Sequence, residues 1–285
     1  MKICRSIQSL HAELSAPASG RGRIGFVPTM GYLHQGHLSL VRRCREENDL
    51  TVVSIFVNPA QFGPTEDLQR YPRDPEKDIA LLEKENTDIL FMPENDGMYP
   101  QPYRTYVNVE GLDAVLCGQT RPGHFRGVAT VVLKLFNLVG PQRAYFGQKD
   151  AQQAIVIRQM VRDLNLPVQI RVMAIVRDSD GLALSSRNEY LSPAERQAAL
   201  LLPKSLQKAA VLVRSGVEES QVIRESMRKE LDRDPLLATE YISIVSLQDL
   251  QEIPAIEAGN TLIAAAVRVG RTRLIDNLLL GDWSC

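Results

Sequence analysis

The sequence predicts an α/β fold, with a Rossmann-like parallel sheet domain over residues 1–176 and a smaller C-terminal α+β lid domain over residues 177–285. Three observations carry that expectation. Short β-branched apolar runs alternate with amphipathic helical stretches up to Val176, as in repeated strand–helix–strand units. The polar turn Asp178-Ser179-Asp180-Gly181 then breaks the alternation. Beyond it, residues 193–231 are mostly helix formers, and shorter strand-like runs follow.

Taken in order, Arg23 to Val27 (RIGFV) and Thr51 to Val57 (TVVSIFV) read as buried parallel strands, each closed by Pro or Asn. Between them, from about Gly36 to Asn48, a helix places Leu38, Val41 and Cys44 on one face and turns Arg42, Arg43, Glu46 and Glu47 to water. Further strands are expected at Thr87 to Met92, Arg143 to Gly147 and Val168 to Val176, with helices near Pro75 to Glu85, Gly127 to Leu138 and Ala151 to Leu164. The later strands are expected at Tyr241 to Ser246, Thr261 to Val269 and Thr272 to Leu274. There is no internal repeat and no low-complexity tract. The charged, Pro-containing stretch from Phe62 to Arg73 is the expected mobile loop.

A chain of 285 residues suits one large and one smaller domain with a cleft between them. The formal net charge is -1 and the basic residues are scattered, which argues against nucleic acid as a partner. Cys4, Cys44, Cys117 and Cys285 never fall at CxxC-like spacing, so neither a zinc site nor a disulfide framework is indicated. Met1 leads into Lys2 and Arg5 without a signal-peptide core, and no stretch offers a membrane span. The expectation is a cytoplasmic protein acting on small molecules, with no membrane partner.

The first strand runs straight into Pro28-Thr29-Met30-Gly31-Tyr32-Leu33-His34-Gln35-Gly36-His37, after which the helix begins. A helix start offers unpaired N–H groups and the positive end of the dipole to a phosphate, and Gly31 and Gly36 allow close backbone approach. His34 and His37, spaced i, i+3, then donate hydrogen bonds as charge builds on an α-phosphate. The motif takes two of only four histidines and follows a strand, which favours nucleotidyl transfer over a pair of ordinary surface histidines.

Phe146-Gly147-Gln148-Lys149-Asp150 follows another buried strand and leads into a helix, so Lys149 suits a triphosphate while Asp150 suits an N-cap equally well. In Leu184-Ser185-Ser186-Arg187-Asn188, two hydroxyls and a guanidinium suit β- and γ-phosphates; a capped turn is the plainer reading. The amides of Gln61 and Gln153 suit the hydroxyls and carboxylate of a small hydroxy acid, and each also fits an ordinary helix-surface or core-edge role.

With these residues assembled, nearly the whole chain resembles the pantothenate synthetases, members of the HxGH nucleotidyltransferase superfamily. The likeness rests on PTMGYLHQGH at 28–37, SIFVNPAQF at 54–62, RYPRD at 70–74, RPGHFRGVATVVLKLFNLV at 121–139, YFGQKDAQQ at 145–153, DGLALSSRNEYLS at 180–192 and RLIDN at 273–277. It implies that Met30 to His37, Gly147 to Asp150, Val176 and Leu184 to Arg187 line an ATP site, with His37 as proton donor. Gln61 and Gln153 match pantoate-binding glutamines, and Gln61 also lies by β-alanine. Gln148 stands where many members have Glu, and Ala151 where many have an aromatic residue. The resemblance further implies Mg-ATP, a pantoyl-adenylate, a homodimer, and protein ligands for the metal that stay open. Rival readings are a nucleotidyltransferase that leaves AMP on its product, a protein like a stripped aminoacyl-tRNA synthetase, and a non-catalytic ATP sensor; the second lacks a basic RNA-binding region.

Overall fold

The computed structural model describes residues 1–15, 22–64, 66 and 68–283. Six strands form one parallel sheet: β1 (Lys2–Cys4), β2 (Ile24–Thr29), β3 (Leu50–Ile55), β4 (Ile89–Phe91), β5 (Arg143–Gly147) and β6 (Gln169–Met173), in the order β1-β4-β3-β2-β5-β6. Its helices are α1 (Ile7–Leu14), α2 (Gln35–Glu47), α3 (Pro75–Lys84), the short turns α4 (Asn95–Met98) and α5 (Cys117–Thr120), α6 (His124–Val139) and α7 (Ala151–Asp163).

Both faces of the sheet are buried, so the strand sequences are apolar at nearly every position. Phe26, Val52, Ile89, Phe91, Ala144 and Phe146 point into a core closed by α1, α6 and α7. Their neighbours Val27, Val53, Leu90 and Tyr145 point the other way, into a smaller core beneath α2 and α3.

After β6 come α8 (Pro193–Ala199), α9 (Leu201–Arg214) and α10 (Ser220–Leu231), then the antiparallel strands β7 (Leu237–Ser246), β8 (Thr261–Val269) and β9 (Thr272–Leu280) in the order β7-β8-β9. Ile263, Ala265, Val267 and Val269 of β8 pack under the helices, while Leu262 and Ala264 on the opposite face join the core of the parallel sheet. Alternation along one strand thus welds the two sheets together.

Several boundaries differ from the sequence expectation for identifiable reasons. β3 ends at Ile55, because Asn58 caps the following turn by accepting the Ala60 N–H at 3.2 Å. β9 continues from Leu274 to Leu280, because Asp276 and Asn277 are consumed by partners across the fold. β1 and α1 went unpredicted, being 3 and 8 residues long. Glu47 does not face water: its side chain is 12% exposed and meets Arg43, Arg143, Arg171 and the Tyr145 hydroxyl. A shared anion for three arginines is invisible to helical periodicity, since two of them come from β5 and β6.

Helix α6 crosses the 3₁₀ turn Pro59–Gln61 at close range, with Asn58 Nδ2 donating to the Gly127 carbonyl at 3.0 Å. A Cβ on Gly127 would lie 2.2 Å from the Ala60 carbonyl oxygen. Gly127→Ala is therefore expected to destabilise the protein by about 1–3 kcal/mol through overpacking, read as a lowered urea midpoint; an unchanged midpoint would mean the two elements have room to part.

Candidate active site

The first and second halves of the parallel sheet diverge between β2 and β5. β2 pairs with β3 along all of Ile24 to Thr29, yet pairs with β5 only at Gly25–Arg143 and Phe26–Ala144. Beyond that the carboxyl ends of the two central strands separate, which opens a crevice at the point where strand order reverses. A cavity of about 220 Å³ fills it, reached by Met30, His34, Gly36, His37, Gly147, Lys149, Asp150, Val176, Leu184, Ser185, Ser186, Arg187, Gln61 and Gln153.

His34 is the N-cap of α2, and its Nδ1 accepts the Gly36 N–H at 3.1 Å. Only glycine fits at position 36, since a Cβ there would stand 2.9 Å from the His34 ring. His37 Nδ1 accepts the His34 backbone N–H at 3.4 Å, and the two rings lie 4.1 Å apart. With both Nδ1 atoms used as acceptors, each neutral ring carries its proton on Nε2. Burial pushes the His34 imidazole down to about 4, with Lys149 adding to the effect. Burial likewise holds His37 well below the ordinary range, helped by His34 and Lys149.

The remaining residues of the motif form its frame rather than the cavity wall. Asp78 of α3, 2% exposed, accepts the Tyr32 and Leu33 N–H groups at 2.8 and 2.7 Å. Its burial raises the carboxyl above the usual range even though these two bonds favour the anion. Leu33 is buried, the Tyr32 hydroxyl meets Glu189, and Gln35 accepts from Arg42 on the outer surface. Gly31, Tyr32, Leu33 and Gln35 therefore shape the loop from outside the cavity.

Lys149 is set by the other sheet. Asn277 of β9 donates to the carbonyls of Gln148 and Lys149 at 2.9 and 3.1 Å, and Gln148 Nε2 returns a bond to Asn277 Oδ1 at 3.2 Å. The Gln148 side chain thus points to β9 and Trp283, leaving the Lys149 ammonium in the crevice 3.4 Å from Asp150. Arg177 holds Asp276 through two bonds of 2.6 and 3.0 Å, which ties the connection from β6 to the same strand. Ser185 caps the 3₁₀ turn Ser186–Tyr190 that carries Ser186 and Arg187 to the cavity.

Beside Lys149 and the Ser185–Arg187 turn, amides line the cavity. The Gln61 side chain, 7% exposed, accepts from Asn58, whose own carbonyl accepts from the Tyr99 hydroxyl. The two adjacent glutamines of α7 differ: Gln152 is spent on Cys117 N–H, Leu112 C=O and Val115 C=O, whereas Gln153 reaches the cavity with no protein hydrogen bond among the described residues.

Sequence reasoning missed Asp78, Tyr71, Arg121 and His124 as parts of the site. His124 Nδ1 donates to the Gln61 carbonyl at 2.8 Å, and its Nε2 accepts from Arg121 at 3.0 Å, while Arg121 grips Glu66 in the Phe62–Arg73 loop. That loop also contacts the C-terminal unit, where the Tyr190 hydroxyl donates to Arg70 C=O; Thr65 and Asp67 lie outside the described residues. A carboxylate at position 78, four residues before buried Leu82 on the apolar stripe of α3, was the available signal for a buried clamp.

A doubly wound sheet with neutral imidazole donors and a lysine at its switch point defines a Rossmann-like α/β protein whose crevice favours an anion. The family model for pantoate-beta-alanine ligase matches residues 2–279. Pantothenate synthetases of Thermosipho melanesiensis and Roseiflexus castenholzii are 55% and 54% identical, covering 99% and 97% of this chain and 100% and 99% of their own. A Thermus thermophilus pantothenate synthetase structure superposes with a TM-score of 0.94 at 47% identity, over 99% of this chain and 100% of its own. The Francisella tularensis pantoate-beta-alanine ligase does so with 0.78 at 34%, over 98% and 97%. The chain belongs to the pantoate-β-alanine ligase family, and is accordingly a carbon–nitrogen-bond-forming enzyme.

The depressed imidazoles make stability pH-dependent. His124 is also pushed down to about 4, by burial first and Arg121 second. An unfolded imidazole, near 6.5, takes up a proton that the folded His34 and His124 refuse, so stability is lost as pH falls from 6.5 towards 4. Urea midpoints at about pH 7.5 and about pH 5 should show that loss, and His124→Gln should shrink it; an equal loss in the variant would remove His124 from the account.

Proposed function

We propose that this chain condenses pantoate with β-alanine through a pantoyl-adenylate, consuming ATP and giving pantothenate, AMP and pyrophosphate. The observation that carries the reading is the pair of neutral imidazoles with protonated Nε2 atoms, set at the switch point between Lys149 and an amide-lined pocket. The Francisella tularensis ligase was crystallised with a β-γ ATP compound and β-alanine, which supports the same substrates here.

In the first step a pantoate carboxylate oxygen attacks the α-phosphorus in line, and the bond to the β-phosphate oxygen breaks, pyrophosphate leaving with the electron pair. His34 and His37 donate Nε2–H bonds to the α-phosphate oxygens. Because burial disfavours their charged forms, they stabilise developing charge and keep their protons. Lys149, Ser185, Ser186 and Arg187 neutralise the outer phosphates, while Met30, Gly36, Gly147, Val176 and Leu184 line the nucleotide side. In the second step the neutral amine of β-alanine attacks the acyl carbon, a proton leaves the nitrogen, and AMP departs.

ATP enters as its magnesium complex. The metal would be held largely by phosphate oxygens and would screen their charge, and Asp150 is the cavity-lining carboxylate that would lie beside it. Gln61, aimed by Asn58 and by His124 on its backbone, and Gln153, with its free amide, hold pantoate; Gln61 also borders β-alanine. Residues 177–285 act as the lid that, with the Phe62–Arg73 loop, keeps water from the anhydride. Three buried free thiols fit a cytoplasmic enzyme, no described helix can cross a membrane, and the family resemblance implies a homodimer.

Pyrophosphate release is expected only with ATP, magnesium and pantoate together, and release without pantoate would remove the substrate assignment. His37→Ala and Lys149→Ala should each slow adenylation about a hundredfold or more, the usual consequence of losing one preorganised donor; near-normal turnover in both would misplace the site. Gln61→Ala and Gln153→Ala should raise the pantoate KM far more than that of ATP, and equal increases would move both amides to the nucleotide.

A further inference from the structure

A second, larger cavity of about 750 Å³ opens from the crevice on the side of the C-terminal sheet, and the two share Arg121, Lys149, Asp150, Ser185 and Arg187. It is lined by Arg268 at the end of β8, by Arg271 in the turn between β8 and β9, and by Arg70 from the Phe62–Arg73 loop. Seven cationic side chains line it against four acidic ones, all of them already engaged: Glu66 with Arg121, Asp150 with Lys149, Asp276 with Arg177, and Glu195 with the Ser192 cap of α8. Arg268 and Arg273 share the single carboxylate of Glu240. Arg70 and Arg271 have no carboxylate partner among the described residues.

A chamber with that surplus of guanidinium, open to the end of the crevice where Lys149 and Arg187 stand, draws a compact polyanion out of the crevice. We propose that this cavity is a diphosphate-binding chamber, continuous with the outer-phosphate end of the nucleotide site, which receives inorganic pyrophosphate after it leaves the α-phosphorus and leads it to solvent between Arg70 and Arg271. The assignment rests on the adenylation reading above. Chemically, it lets the leaving group move off Lys149 and Arg187 while the acyl-adenylate stays sheltered for the amine.

The test uses the full-length enzyme and inorganic pyrophosphate. Arg70 and Arg271 are both exposed and neither belongs to the catalytic or substrate-binding set, so their variants keep the fold, which circular dichroism verifies. In the double variant Arg70→Ala/Arg271→Ala, pyrophosphate binding to the free enzyme and its product-inhibition constant should weaken about tenfold or more, with the ATP KM within about twofold. Arg271→Glu should weaken pyrophosphate further, and Arg271→Lys should recover most of the affinity. Unchanged pyrophosphate affinity in the double variant overturns the proposal. So does an equal rise in the ATP KM, because the cavity would then be part of the triphosphate site. Exchange of labelled pyrophosphate into ATP by the unmodified enzyme, with and without pantoate, reads the adenylation step separately. Failure of that exchange sinks the proposed reaction, while direct pyrophosphate binding still decides whether the chamber exists.

Discussion

The parting of β2 from β5 is the constraint on which the rest of the molecule depends. The two strands hold each other only at Gly25–Arg143 and Phe26–Ala144, because the chain winds to one side of β2 through β3 and β4 and to the other through β5 and β6. Helices α2 and α7 consequently start on opposite lips of the same opening. A helix beginning at each lip turns the positive end of its dipole to the space between, an arrangement favourable to phosphate before any side chain is considered.

Side chains then convert an anion-favouring crevice into a particular site through polar contacts made at long range in sequence. Asp78 holds the backbone of the histidine loop, Asn277 holds the backbone of the lysine turn, and His124 holds the backbone of Gln61. Each clamp grips main chain, so it fixes the loop without occupying the side chain it positions. The same dryness that strengthens these bonds keeps the imidazoles neutral, and neutral Nε2–H groups favour charge stabilisation over proton delivery.

The C-terminal sheet is part of the framework of the crevice. β8 places alternate residues in two different cores, and β9 sends Asp276 and Asn277 back to the parallel sheet. The lysine turn is therefore built from both halves, which couples any movement of the C-terminal unit to Lys149.

By itself the sequence determined the strand–helix alternation, the position of the histidine motif at a helix start, and the family, because these depend on local periodicity, capping and contiguous motifs. Arg143–Gly147 and Thr261–Val269 matched to the residue, since buried strands bounded by turns announce both ends. Only the tertiary structure decided which polar residues are tools and which are scaffolding. Gln152 and Gln153 are indistinguishable as letters, yet one is spent on α5 and the loop before it while the other faces the cavity. Glu47 looks like solvent-facing charge on a helix and is a half-buried counter-ion for three arginines; Asp276 and Asn277 look like a strand end and are a brace. A hydrogen bond or ion pair between residues 46 or 129 positions apart leaves no periodic trace, because its energy depends on where two distant backbones come to rest and not on the neighbours of either residue.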